Sequence, residues 1–219
     1  PSLRTQLNHL GWDKPREGFQ VAEGHETQRP PTPQFLKEIP FLPTSRFNSF
    51  FIDIRDLKPV EQEHILFPRK EEIYKGPLVL IHQSKCQAAY VETDISFMAS
   101  ISSIRGTSEQ KNLLKWLVCI INSPLTRYYQ FLTSTRWGVE RSNPLQKEYE
   151  GMPFVIPDEA DPVYQNLIFH FDQLVTLLAD KSTTVNWEND KRIEELKLEI
   201  NRMVFQIYDL HPVEQQLIE

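Results

Sequence analysis

Residues 108–133 read "SEQKNLLKWLVCIINSPLTRYYQFLT", and here the hydrophobic pattern changes period. Leu113, Leu114, Leu117, Val118, Ile120 and Ile121 predict an amphipathic helix of about three to four turns. The pattern stops at Asn122-Ser123-Pro124. Ser123 suits an N-cap and Pro124 suits a first helical position, so a second helix starts at once. That helix carries Leu125, Tyr128, Tyr129 and Leu132 at three- and four-residue spacing.

Upstream the chain reads as strands. Phe50, Phe51, Ile52 and Ile54 mark one in "NSFFIDIRDL" (48–57). Gly76-Pro77 turns into the apolar run Leu78–Ile81, and residues 87–106 supply two more short strands with a turn at Glu92–Asp94. Residues 1–45 are hard to read; in "RPPTPQFLKEIPFLPTSRF" (29–47) the prolines at 30, 31, 33, 40 and 43 are too many for a helix and predict extended chain on the surface. Downstream, "STRWGVERSNPLQ" reads as a loop and "GMPFVIP" (151–157) as a short extended segment. Two apolar stripes close the chain. Val163, Leu167, Phe171, Leu174 and Leu178 form the first; Ile193, Leu196, Ile200, Met203, Val204, Ile207 and Leu210 form the second. Together they predict an antiparallel helical hairpin.

Composition narrows the function. The 219 residues carry a formal net charge of −6, unevenly distributed. Between 100 and 149, Arg105, Lys111, Lys115, Arg127, Arg136, Arg141 and Lys147 face only Glu109, Glu140 and Glu148. From 150 onward five basic residues face 14 acidic ones. A polyanion would be repelled by the tail but not by the middle, which places any nucleic-acid site there. No apolar run approaches the roughly 20 residues of a membrane span and no signal-peptide pattern opens the chain, so a cytoplasmic location is expected. The abrupt start at Pro1 suggests a piece of a longer polypeptide. Cys86 and Cys119 support no disulfide framework and read as packed thiols.

No two of the seven glycines form G-x-G, and no Walker lysine pattern or G-x-S-x-G elbow exists. The six histidines show no metal-ligand grouping. No catalytic residue is expected in this chain. Two matches remain. Asn143-Pro144-Leu145-Gln146 faintly resembles the Asn-Pro-Pro-Tyr motif of amino-methylating enzymes but lacks its second proline and its aromatic; a proline turn accounts for it. Asp158, Glu195 and Lys197 imitate the spacing of a metal-dependent nuclease, whose chemistry needs the latter pair on a strand beside the aspartate. Here they fall inside a helical period.

The basic stretch offers more. Arg136 and Arg141 flank Trp137-Gly138 in the expected loop. Arginine forks match phosphate oxygens and guanine edges, aromatic faces stack on bases, and Asn143 could pair with an adenine edge. The other reading of the same residues is a core cover with a solvated cationic rim. Spacing leaves both open.

The order of the motifs carries a resemblance. Leu114-Lys115, Asn122-Ser123, Leu125, Tyr128-Tyr129, Trp137-Gly138 and Met152-Pro153 to Pro157 stand as in the C-terminal specificity region of N6-adenine DNA methyltransferases. Ile200, Val204, Ile207-Tyr208, Leu210 and Glu214 are similar to that family's closing helix, with Asn201 where the family usually has aspartate. "YKGPLVLIHQS" (74–84) resembles the strand that opens the recognition domain. The resemblance covers roughly 70–219 and is to the TaqI-like target-recognition domain of restriction–modification and phage-exclusion systems.

That resemblance implies duplex DNA as partner, together with an N-terminal methyltransferase catalytic domain or subunit. It implies no cofactor in this chain, S-adenosylmethionine belonging to the parent enzyme's catalytic domain. The DNA-contacting set is expected to be Arg105, Arg127, Arg136, Trp137, Arg141, Asn143 and Lys147. Asn122 and Ser123 are assigned to helix capping. The expected fold is α+β: a small β-rich body with irregular loops, two central helices and a C-terminal antiparallel helical hairpin. Its parts are a Pro-rich extended segment at 1–70, a recognition body at 71–157 and the hairpin at 158–219, whose helices could also serve an oligomer. Two rivals stand beside this reading: a protein–protein interaction module built on the acidic hairpin, and the nuclease of Asp158, Glu195 and Lys197.

Overall fold

The computed structural model describes residues 1–20, 30–134, 146–181 and 187–218. Its centre is a five-stranded mixed sheet. β4 (Leu78–His82) pairs antiparallel with β5 (Gln87–Val91) on one side and with β7 (Ile101–Arg105) on the other, Leu80 lying opposite both Ala89 and Ser103. β1 (Arg16–Glu17) extends the β7 edge antiparallel, and β3 (Phe50–Phe51) lies parallel to β5 at the other edge. β2 (Phe41–Leu42) and β6 (Ser96–Phe97) make a separate parallel pair. The expected strand at 48–57 is thus only two residues long, and 87–106 holds three strands where two are expected.

β4 is buried along its whole length, which explains its unbroken apolar run: a strand covered on both faces has no polar side to alternate with. Val79, Ile81, Ala88 and Ile104 face one core, and Leu78, Leu80, Ala89, Val91 and Ile101 face another. Helices cover the first face. The second face is closed by Phe19, Leu36, Leu42, Phe47, Ile52, Val60, Ile65, Tyr74, Ile95 and Phe97. Much of the N-terminal segment expected on the surface is therefore core. Its prolines leave no α-helix over residues 30–43, as expected, only a 3-10 turn at Gln34–Lys37 that buries Leu36, and extended chain can still bury a side chain wherever it crosses the sheet. Gly18 marks one such crossing, where a Cβ would collide with the Phe97 carbonyl.

The chain opens with a helix that residues 1–45 were not expected to hold: α1 (Leu3–Leu10), with Leu3 and Leu7 fully buried. Ser2 caps its start, and Gly11, left-handed at φ 69°, closes its end. α2 (Lys111–Asn122) lies against β4 and β5, burying Leu114, Trp116, Leu117, Val118, Cys119, Ile120 and Ile121. A 3-10 turn with a capping box of Thr107 and Gln110 introduces it. The Gln110 amide also accepts from Trp12 Nε1 at 2.7 Å and donates to the Leu10 carbonyl at 2.9 Å, locking α1 to the start of α2.

α3 (Pro124–Thr133) follows directly, with Pro124 at its first turn as expected. α4 (Gln146–Gly151) is a short helix within the region read as loop and extended chain. The extended stretch after it is pinned from several sides. Leu3 N donates to Met152 O (2.7 Å), Phe154 N to Pro1 O (3.0 Å), Trp116 Nε1 to Val155 O (2.9 Å) and Tyr208 Oη to Pro153 O (2.9 Å). α5 (Pro162–Lys181) and α6 (Trp187–Ile207) form the hairpin. The ion pair Lys181–Asp190 and the contact of His170 Nε2 with Glu199 Oε2 (3.1 Å) run across it, so the two helices are antiparallel. Pro212 does not stop the chain; it opens α7 (Pro212–Ile218), where a proline lacking its N–H costs nothing. The α+β architecture, the two central helices and the hairpin agree with the sequence reading.

Candidate nucleic-acid interface

The α2–α3 junction departs from the capping role expected of it. Asn122 does not cap a helix: its Oδ1 accepts from Ala88 N (3.0 Å) and its Nδ2 donates to Ala88 O (2.8 Å), as a strand neighbour would. β3 pairs only with Ala89 and Tyr90, so Ala88's backbone at that edge would otherwise be unmet. Ser123 holds the N-cap position, but its hydroxyl donates back to Ile120 O (2.7 Å) instead of capping α3. Thr126 Oγ1 donates to the same carbonyl at 2.6 Å. Both residues of the motif are structural, tying α2 to the sheet and to α3.

Of the residues assigned to DNA contact, Arg136, Trp137, Arg141 and Asn143 lie outside the described residues, on the stretch that joins α3 to α4. Arg105, Arg127 and Lys147 are described, and all three are exposed. None of the three has an ion-pair or hydrogen-bond partner among the described residues. By contrast Lys181, Lys191 and Lys197 on the hairpin each face a hairpin carboxylate.

Position divides the three. Arg127, on α3, lies within electrostatic reach of Cys86, as does Glu148, the neighbour of Lys147 on α4. Tyr129 Oη donates to Gly151 O at 3.0 Å and joins these two helices. Cys86 follows β4 at its His82 end, whereas Arg105 pairs with Leu78 at the other end. The four intervening strand steps separate those ends by about 13 Å. Arg127 and the start of α4 therefore lie toward the β4–β5 turn, and Arg105 lies at the opposite end of the strands. Arg105 opens there on a cleft of about 480 Å³ that also contains Asp13 and Glu109.

The thiols are packed, as expected. Burial pushes both Cys86 and Cys119 up from the usual thiol range, and for Cys86 the Arg127 charge offsets part of that rise. The Tyr149 hydroxyl beside Cys86 has no hydrogen-bond partner of good geometry among the described residues, so this thiol–phenol contact is weak.

The nuclease constellation does not form. Asp158 accepts from Ala160 N in a local turn ahead of α5, and Lys197 is held by Glu194. Glu195 lies on α6 between Asp190, which meets Lys181, and Glu199, which meets His170, so it faces α5 well past that helix's start at Pro162. A dozen helical residues separate the carboxylates by about 18 Å. Among the described residues no group of His, Cys, Asp and Glu could hold a metal ion, and no helix is long and apolar enough to cross a membrane.

Two features escaped the sequence. Gln130 is fully buried, and both its amide atoms lack a partner among the described residues. Lys85, on the β4–β5 turn, is an exposed cation next to Cys86 and lines a cleft with Lys181 and Lys197. Strand-turn lysines are common, and only the cleft makes this one informative.

No family model matches the chain, and no curated protein does. Among solved structures the chain is similar to one from work on complex assembly and conformational transition of the type I R-M system, at 10% identity and a TM-score of 0.37. The match covers 92% of this chain and 50% of the other, so this chain spans about half that chain's length.

Proposed function

We propose that this chain is the DNA sequence-recognition domain of an adenine-N6 DNA methyltransferase of restriction–modification type. It binds duplex DNA and leaves methyl transfer to a catalytic domain on the same polypeptide or a partner subunit, which holds the S-adenosylmethionine. One observation carries the reading: Arg127 and Lys147, at the two ends of the basic, aromatic stretch, are exposed and have no ion-pair or hydrogen-bond partner among the described residues. Cations left free of carboxylates are available to phosphates. The sequence resemblance and the net positive middle of the chain support the same assignment.

Fluorescence anisotropy with duplex DNA across a salt series tests it. Arg127→Gln with Lys147→Gln should weaken binding and reduce the slope of log K against log salt by about 2, one for each phosphate contact removed. No salt-dependent binding by the unaltered chain, or identical slopes for both proteins, would refute the assignment.

A protein-contact role has its own observation. Phe131 and Leu132 on α3 and Val213 and Leu217 on α7 are exposed by 63, 61, 59 and 66%, and α7 packs beside α3. Light scattering on the unaltered chain and on Phe131→Ser with Leu217→Ser tests it: an assembly lost in the variant supports the interaction reading, and a monomer in both removes the oligomer.

A further inference from the structure

We propose that the DNA-contacting surface continues from Arg127 and Lys147 across the β4–β5 turn into the cleft between β3 and the hairpin, where Lys85, Lys181 and Lys197 receive a phosphodiester segment of the duplex. This rests on the DNA reading above and extends it to residues that neither the motifs nor the charge gradient indicates.

The cleft has a volume of about 500 Å³, and its wall contains those three lysines together with Asn48, Ser49 and Gln87. That volume is in the range that holds a small ligand or one nucleotide unit. The single carboxylate in the wall, Asp53, is bound by Arg55 through two contacts of 2.8 Å. Lys181 and Lys197 meet Asp190 and Glu194 at 2.7 Å each. With every ion pair counted as neutral, the Lys85 charge is left in excess.

Three other clefts carry no such excess. The one beside β1, about 620 Å³, sets Arg16 and Lys70 against Asp13 and Glu72 once Arg69 is paired with Glu17. The Arg105 cleft has two carboxylates to one arginine. The apolar cleft between β5 and α5 has Asp53 paired with Arg55 and Glu92 paired with Lys111.

Two facts join the lysine cleft to the proposed site. Lys85 lies three residues before Ala88, whose backbone Asn122 engages at 3.0 and 2.8 Å just ahead of α3, so Lys85 and the start of the helix that carries Arg127 share one end of the sheet. The hairpin pairs are solvent-exposed, and such pairs contribute little to stability, so a phosphate oxygen can replace the carboxylate at either lysine. Amides and a hydroxyl in the wall supply neutral donors for the backbone or for a base edge. Lys197 acquires a role here quite apart from a nuclease.

Lysine acetylation read by mass spectrometry, on the unaltered chain with and without duplex DNA, locates the contact without a variant. Lys85 and Lys197 should be protected several-fold, while Lys58, exposed beside the core on the other face of the sheet, should react equally in both samples. In the salt series, Lys85→Gln with Lys197→Gln should lower the slope by about 2. If Arg127→Gln with Lys147→Gln weakens binding but the lysine pair neither does so nor is protected, this extension falls and the DNA reading stands. Protection of Lys85 and Lys197 with no effect of the Arg127 and Lys147 changes supports the cleft and removes those two residues. Absence of any DNA binding overturns both.

Discussion

Replacing Asn122 by alanine is the sharpest test of the structure, because it separates a packing role from a DNA role at a position prominent in the sequence motif. The substitution removes two hydrogen bonds, of 3.0 and 2.8 Å, and leaves the Ala88 N–H and C=O without partners at a residue that is itself fully buried. A buried polar group left unmet costs about 1–3 kcal/mol. Asn122 is half-exposed, so water reaches part of the vacated space, and the lower end applies to each group: about 2–3 kcal/mol together. For a chain of this size that is a fall in Tm of about 4–12 °C. In urea, the midpoint should drop with the slope unchanged. Asn122→Asp tests the same pairing through pH. One carboxylate oxygen still accepts from Ala88 N, but the other faces the Ala88 carbonyl, which disfavours the charged form and raises the folded pKa above the unfolded value of about 3.9. The folded state then holds the extra proton, so this variant's stability falls as pH rises from about 4 through the raised folded pKa and recovers on acidification. A loss below about 0.5 kcal/mol for Asn122→Ala, the level of an ordinary surface change, would refute the pairing. So would DNA affinity lost at unchanged stability.

Three further outcomes are expected. Gln130→Met removes a fully buried amide that has no partner among the described residues and keeps its length, so it should raise stability by about 1 kcal/mol in urea unfolding; a loss of that size would show that the amide is bonded. Gly18→Ala would press a Cβ into the Phe97 carbonyl and should cost about 2–3 kcal/mol, whereas equal stability would place the chain farther from β6. His82 is held neutral by burial first and by the Lys85 charge second, and its Nδ1 accepts from Ser84 N at 3.2 Å. Its folded pKa lies below the unfolded value of about 6.5, so stability present above that pH should be lost as pH falls through it. His82→Gln should flatten the loss that sets in as pH falls below about 6.5, and an unchanged profile would assign it to other groups.

Elements whose burial repeats with a local period were legible without coordinates. The stripes ending at Leu178 and Leu210 became α5 and α6, the unbroken run from Leu78 became the doubly covered β4, and the period change near Ser108 became the capped start of α2. In each case the information lies within a few neighbouring residues, because one helix face or one strand meets the core on its own. Outside α1, where Leu3, Leu7 and Leu10 do repeat at helical spacing, and the short run Phe50–Ile54, residues 1–74 have no such period. Leu3, Phe19, Leu36 and Ile65 are buried by contacts with distant chain, so a proline-rich stretch could be read as unable to form a helix but not as the second core of the sheet.

The candidate site divides along the same line. Charge counting along the chain located the positive middle and picked out Arg105, Arg127 and Lys147 as cations. That Arg127 lies toward the β4–β5 turn, that Arg105 lies at the other end of the strands, and that Lys85 and Lys197 line one cleft are decided by how α3 and the hairpin pack on the sheet. Composition and period act over a handful of residues, whereas a binding surface is a convergence of side chains far apart in sequence, and only tertiary packing brings them together.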